Sequence, residues 1–148
     1  MKIIISILLV LAVVLSMTSC KKKRIKLERE TIEEYIAENN LDAEVTSEGV
    51  YYVINQVGNG VSPNLSDQVE VTYAGTLLDG TPFDGGRTSF PLAAVIKGWQ
   101  IGIPQFSEGG SGLLIIPSRH AYGKNPPPGG IIGKNEILVF SVTLHDVF

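Results

Sequence analysis

The chain has 148 residues, 44% of them hydrophobic, and a formal net charge of −3. This length allows one ordinary domain plus an appendage, and the acidic balance without a basic stripe argues against nucleic-acid binding. A single cysteine and two histidines exclude an internal disulfide, a thiol redox pair and a cysteine-based zinc site. We therefore expect no metal and no cofactor.

Residues 1–19 have the pattern of a secretory signal peptide. Lys2 precedes an apolar run that extends from Ile3 to Met17, which is short for a membrane span of about 20 residues. The run stops just before Cys20, and this arrangement resembles a bacterial lipoprotein signal, which implies that Cys20 carries a lipid and attaches the chain to a membrane. The alternative is an uncleaved anchor, which the basic residues 21–24 favour because positive charge prefers the cytoplasmic side.

Residues 20–42 are interpreted as a tether that contains a short helix. Thr31 and Glu34 have capping-box spacing, and Ile32, Tyr35 and Ile36 recur at helical intervals, which predicts a helix from Thr31 to Glu38. Its apolar face could dock on the domain or form a homodimer with another copy of itself. The alternative is a semi-ordered spacer that holds the domain away from the membrane.

Residues 43–148 are predicted to form the folded domain, and its first half reads as strands. A β-rich run covers residues 50–54, and strict alternation from Val69 to Tyr73 is typical of a half-buried strand. Asp79 and Gly80 then have turn chemistry. The glycine-containing residues 85–89 are interpreted as a loop or bulge.

The second half of the domain is predicted to contain a short helix and two further strands. Trp99, Ile103 and Phe106 share helical spacing, and Pro104 limits the length of that helix. Apolar strands are expected at residues 112–117 and 137–144, with a proline-rich flap at residues 123–130 between them. The pattern therefore indicates an α+β domain of four or five antiparallel strands curled over a helix.

Conventional catalytic parts are scarce in this sequence. Ser118 and His120 are close in sequence, but no G-x-S-x-G turn supports a nucleophile and base there. What remains is a set of aromatic and apolar residues with a carboxylate, a combination that suits an apolar pocket with a polar handle. The simpler alternative is that the aromatic residues belong to the core and that Asp84 is a solvated turn residue.

An ordered series of motifs resembles the FKBP-type peptidyl-prolyl cis-trans isomerases. The series comprises V-x-V-x-Y-x-G-x-L-x-D-G-x-x-F-D from Val69, V-I-x-G-W from Val95, I-P-x-x-x-A-Y-G from Ile116, G-G-I-I from Gly129 and L-V-F-S-V-T-L from Leu138. The resemblance covers about residues 50–144. It implies an FKBP-like, curled antiparallel sheet of five to six strands around a short helix.

The resemblance also implies roles for individual residues. The expected catalytic set is Tyr73, Phe83, Asp84, Trp99, Tyr122 and Phe140. The expected substrate-binding set is Val95, Ile96, Phe90, Ile131 and Ile132, in which the Ile96 backbone N–H donates to a ligand carbonyl.

The implied activity is rotation about X-Pro bonds in exported proteins. This reaction makes and breaks no bond, so it needs no nucleophile, metal or cofactor, and it crosses a barrier of about 20 kcal/mol. The implied partners are proline-containing polypeptides and macrolides of the tacrolimus and rapamycin type. The expected location is the cell envelope, with a lipid anchor facing the periplasm from the outer membrane.

Four positions depart from the usual family pattern. Thr88 replaces an aromatic, His120 replaces a leucine before A-Y-G, Gly133 stands where proline is common, and Pro104 is uncommon within the helix. These departures imply an altered peptide preference and weaker macrolide binding. The alternative function is a non-catalytic peptide-binding or chaperone module on the same fold.

Overall fold

The computed structural model describes the backbone of residues 2–148 and the side chains of residues 20–148. It divides into two compact units, the first ending at Glu34 and the second spanning Tyr35–Phe148. The predicted signal peptide lies outside the residues whose side chains are described, and it stays a prediction. Over the described residues, no helix is both long enough and apolar enough to cross a membrane.

The first helix, α1, spans Lys2–Glu38 and is longer than the predicted one. Thr31 does not cap its start, because the Thr31 hydroxyl donates to the Leu27 carbonyl (2.9 Å) one turn earlier. Ion pairs at i,i+4 spacing support the preceding turns, including Arg29 with Glu33 at 2.7 Å. The capping-box interpretation is therefore wrong, whereas the predicted end at Glu38 is confirmed. The choice between a docking helix and a spacer stays open.

The second unit contains one antiparallel sheet of six strands. The strands are β1 (Glu44–Val45), β2 (Tyr51–Gln56), β3 (Gln68–Leu77), β4 (Pro82–Pro91), β5 (Ser111–Ile116) and β6 (Leu138–Val147), in the order β1-β2-β5-β6-β3-β4. The α+β class and the five- to six-stranded sheet are confirmed. The strand pattern alone missed β1, because two exposed residues carry no detectable alternation.

The predicted loop or bulge at residues 85–89 is wrong. These residues lie within β4, which pairs with β3 without a break from Asp84 opposite Gly75 to Pro91 opposite Gln68. Most of β4 is exposed, so its sequence lacks the apolar alternation that marks a half-buried strand. The irregularity lies earlier instead, where the register shifts between Gly75 and Thr76.

The short helix predicted around Trp99 is confirmed. Helix α2 spans Lys97–Gly102, and a 3-10 turn, Ile103–Gln105, continues it through Pro104. Trp99, Ile103 and Phe106 are all buried. The helix lies close to β5, since a Cβ at Gly98 would overlap the Ile116 side chain.

Gly112 allows β2 and β5 to approach each other, and we expect Gly112→Ala to lower the stability of the fold. A Cβ at this position would overlap the Val53 carbonyl oxygen on β2, which is backbone and cannot rotate away. We expect a loss of about 2–3 kcal/mol in the free energy of unfolding, measured by urea denaturation. Gly130→Ala is the control, because the nearest atom to its Cβ would be 3.7 Å away. Equal stability of the two variants would contradict this account.

Candidate functional site

A cavity of about 310 Å³ opens beside β3 and β4. It is lined by Tyr73, Phe83, Asp84, Thr88, Phe90, Ala94, Val95, Ile96, Trp99, Tyr122 and Phe140. The fold therefore brings together the whole predicted catalytic set and three of the predicted substrate-binding residues, Phe90, Val95 and Ile96. Ligand pockets in proteins commonly have volumes of roughly 300–1,000 Å³, so this cavity suits a small group such as one side chain.

Five segments besides β4 supply side chains to the cavity. Tyr73 comes from β3 and Phe140 from β6, while Trp99 projects from α2. The turn before α2 contributes Val95 and Ile96, and Tyr122 follows the 3-10 turn Ser118–His120. Because these segments are distant in sequence, the cavity depends on the completed sheet.

A β-bulge directs two consecutive residues of β4 into the same cavity. In a regular strand Phe83 and Asp84 would point to opposite faces. Here Gly75 pairs with Asp84 and the next residue, Thr76, pairs with Pro82, so Phe83 is the extra residue on β4. The bulge thus places an aromatic ring and a carboxylate side by side.

The cavity has a floor of interlocking aromatic rings centred on Trp99. Its ring centroid is 5.1 Å from that of Tyr73, 5.2 Å from that of Phe140 and 5.3 Å from that of Phe90. The first two pairs are edge-to-face, the arrangement that ring quadrupoles favour. Trp99 is 5% exposed, and within the described residues its indole N–H has no acceptor.

The carboxylate of Asp84 is held on the cavity rim by two hydrogen bonds. The Tyr73 hydroxyl donates to one carboxylate oxygen (2.9 Å), and the Gly85 backbone N–H donates to the other (2.8 Å). Burial and the hydrogen bond to Asp84 raise the pKa of Tyr73 above its usual value. Burial, followed by the charge of Asp84, also raises the pKa of Tyr122.

The turn before α2 lines the cavity and ends at Ile96, the residue at which the helix starts. The Ile96 carbonyl accepts hydrogen bonds from the N–H groups of Trp99 (3.0 Å) and Gln100 (3.2 Å), which starts the helix. The Gln100 side-chain amide donates to the Val95 carbonyl at 2.9 Å and so fixes this turn from within. Ile96 lies at the helix N-cap, where a backbone N–H has no intrahelical acceptor. A ligand carbonyl could accept from it.

His120 helps to position the segment that carries Tyr122. The His120 Nε2 lies 3.0 Å from the Glu48 carbonyl oxygen, to which the Arg119 guanidinium also donates at 2.8 Å. Burial lowers the pKa of His120, which favours the neutral ring in this contact. Two polar contacts therefore connect the segment before Tyr122 to the β1–β2 turn.

Two predicted substrate-binding residues do not line the cavity. Ile131 is 58% exposed, and Ile132 is partly buried against the hydrophobic core. Their roles stay predictions. Thr88, singled out in the sequence as a departure from the family pattern, does line the cavity, and Ala94 is the lining residue that the sequence prediction missed. Among residues 20–148, no group of three His, Cys, Asp or Glu side chains could hold a metal.

Comparison with known proteins gives a consistent result. Residues 60–145 match the family described as FKBP-type peptidyl-prolyl cis-trans isomerase. The peptidyl-prolyl cis-trans isomerase Mip of Coxiella burnetii is 40% identical over 114 residues, which cover 74% of this chain and 49% of that protein. The outer membrane protein MIP of Legionella longbeachae is 38% identical over 108 residues, covering 70% of this chain and 46% of that protein.

The fold is shared with a solved relative. The crystal structure of FkpA from Escherichia coli superposes with a TM-score of 0.74 at 38% sequence identity. The match covers 84% of this chain and 59% of the FkpA chain. The chain therefore spans about half the length of the curated relatives it matches.

The charge of Asp84 should add to burial in raising the pKa of both cavity tyrosines. The pKa values of Tyr73 and Tyr122 are higher in the folded protein than in the unfolded chain. The two neutral phenols therefore stabilise the fold fully below about pH 10, and this stabilisation is lost as the pH rises through the folded-state pKa values. We expect Asp84→Asn to lower both pKa values, measured by NMR titration of labelled tyrosine rings. Burial should still hold them above the usual value.

Asp79→Asn is the matched control for this titration. Asp79 lies in the turn after β3, where its carboxylate accepts a hydrogen bond from the Thr81 N–H (2.9 Å) rather than from a tyrosine. We expect it to leave both tyrosine pKa values unchanged. The electrostatic account is wrong if the two variants titrate alike.

Proposed function

Because this chain belongs to the family of FKBP-type peptidyl-prolyl cis-trans isomerases, we propose that it accelerates rotation about X-Pro bonds in polypeptides. The observation that carries the proposal is the aromatic cavity above Trp99, with Asp84 and Tyr122 among its lining residues. Its volume of about 310 Å³ suits a proline ring, and its polar groups are few.

The chemistry of the reaction fits the residues present. Rotation breaks amide resonance, so the barrier of about 20 kcal/mol falls if the twisted form binds better than the planar form. The twisted amide has less charge separation, and an apolar aromatic wall therefore disfavours the planar amide more strongly. Each tenfold gain in rate needs only about 1.4 kcal/mol of this difference.

The polar groups act mainly on orientation under this proposal. The Ile96 N–H would donate to one peptide carbonyl, and the Tyr122 hydroxyl would donate to a second. The two carbonyls lie on either side of the proline. Asp84, already fixed by Tyr73 and Gly85, is the polar group beside the ring. Groups that are held in place before binding lower the entropic cost of orienting the substrate.

The second candidate function is a peptide-binding or chaperone module without catalysis. The same cavity would serve it, and the exposed face of the cavity near Thr88 and Asp84 favours entry of large chains. The two functions differ in one measurable respect: only the enzyme shortens the relaxation time of the cis-trans equilibrium.

We expect the full chain to accelerate isomerisation of a short Xaa-Pro-Phe peptide in a protease-coupled assay. Tyr122→Phe should lower kcat/KM by about tenfold, because it removes one hydrogen bond to the substrate. Tyr52→Phe is the matched control, since its hydroxyl donates to Glu44 (2.9 Å) on β1 and not to the cavity. A macrolide of the rapamycin type should inhibit the parent.

The alternative would be supported by a folded parent that binds such peptides without accelerating their isomerisation. Equal effects of Tyr122→Phe and Tyr52→Phe would instead place the activity outside this cavity.

We also propose that the protein acts on exported polypeptides at the cell envelope, attached to the outer membrane by a lipid on Cys20. Support comes from the exposed position of Cys20, which is a free thiol in the structure, and from the relative named an outer membrane protein. Helix α1 is our proposed contact for a second copy, since Leu27 on it is 62% exposed.

We expect Cys20→Ala to abolish incorporation of a labelled fatty acid when the full chain is expressed in a diderm bacterium. The variant should also be absent from the outer-membrane fraction, because no thiol remains to carry the lipid. Radiolabelling and membrane fractionation measure these two results. Ser19→Ala is the control, since a small residue before the cysteine is retained. Labelling of Cys20→Ala would contradict the anchor.

A further inference from the structure

The two edges of the sheet are different. At one edge β1 has only two residues, Glu44 and Val45, which leaves little backbone for another strand to pair with. At the other edge β4 has ten residues, about 33 Å at 3.3 Å per residue. Within the described part of the chain, β4 pairs with β3 alone. One long edge is thus open.

The features of β4 that usually prevent pairing with another chain lie near its ends, where the bulge at Phe83 is found. Its prolines, Pro82 and Pro91, lie at its two ends, and its interior contains no lysine. Arg87, the basic residue on this strand, makes a two-pronged ion pair with Glu70 of β3 at 3.0 and 3.1 Å, so it is held over the sheet. Residues 84–89 are all exposed.

Alternate residues of an edge strand turn their backbone N–H and C=O groups away from the sheet. The Gly85 N–H donates to the Asp84 carboxylate, which places Gly85 in this outward set. The period of two then adds Arg87 and Ser89. Open space surrounds the neighbouring Gly86, because a Cβ there would have no atom within 4 Å.

The open edge is continuous with the cavity. The alternate residues Asp84, Thr88 and Phe90 line the cavity, while the outward set between them presents backbone groups. A chain whose proline occupies the cavity therefore has its flanking residues beside the outward backbone groups of Arg87 and Ser89, whereas the Gly85 N–H already donates to Asp84. Hydrogen bonds between main chains do not depend on side-chain identity, so they suit substrates of many sequences.

We propose that the extended segment flanking the proline pairs with β4 as a seventh strand of the sheet. This inference rests on the proposed function and adds to it the class of substrate: an extended, unfolded chain that is longer than the cavity can hold. Affinity would then come from two places, the proline ring in the cavity and the main chain on β4.

The first test compares two substrates with the same X-Pro core, a short one and one of about twelve residues with uncharged flanks. We expect the parent chain to show a KM about tenfold lower for the long peptide, as two or so additional hydrogen bonds would give. Ser89→Pro removes one outward N–H and should raise the long-peptide KM to that of the short one, while kcat/KM for the short peptide stays unchanged. Ser89→Ala keeps the N–H and should behave as the parent.

The second test changes only the peptide, so misfolding of a variant cannot affect it. Long peptides are methylated on backbone nitrogen at alternate residues, in two sets that are offset by one residue. A paired strand uses one set of N–H groups and not the other, so we expect one set to lose about tenfold in affinity and the other to bind normally. Equal binding of both sets overturns the proposal, as does an equal KM for short and long peptides.

The outcomes separate this inference from the proposed function. If the short peptide is not isomerised, the proposed enzyme activity fails. Strand pairing then still stands if the long peptide binds in calorimetry and Ser89→Pro abolishes that binding. If Ser89→Pro instead turns a dimer into a monomer in sedimentation without affecting the long peptide, β4 pairs with a second copy and the proposal is overturned.

Discussion

The absence of a side chain at Gly75 is the constraint on which the cavity depends. Gly75 pairs with Asp84 on one side and with Phe140 on the other. A Cβ at this position would lie 2.6 Å from a Phe83 ring carbon and 2.9 Å from a Phe140 ring carbon, closer than real contacts allow. The bulge that directs Phe83 into the cavity begins at the same residue, so one glycine permits both the ring contact and the change of register.

The floor of the cavity depends on a second close approach, between α2 and the sheet. Cβ atoms at Gly98 and Gly102 would meet the side chains of Ile116 and Leu114 on β5. With hydrogen there instead, the helix lies close enough for Trp99 to contact Tyr73 and Phe140 edge to face. The floor of the cavity is therefore built from packed rings rather than from loops.

The rim of the cavity is more open than its floor. Thr88 provides a small side chain on the rim, and residues 84–89 are exposed. His120 and Arg119 both bind the Glu48 carbonyl and so fasten the segment before Tyr122 to the β1–β2 turn. The cavity thus combines a packed aromatic floor with a rim that is an exposed strand edge.

The sequence by itself determined the domain class, the short helix at Trp99 and the residues that form the floor, because buried strands and helices leave a periodic pattern and the motifs occur in a fixed order. Only the tertiary structure decided that residues 85–89 continue β4. An exposed edge strand gains its order from pairing with β3, and pairing leaves no apolar signal in the strand itself. The bulge at Phe83 was likewise decided by cross-strand register, which no local pattern encodes.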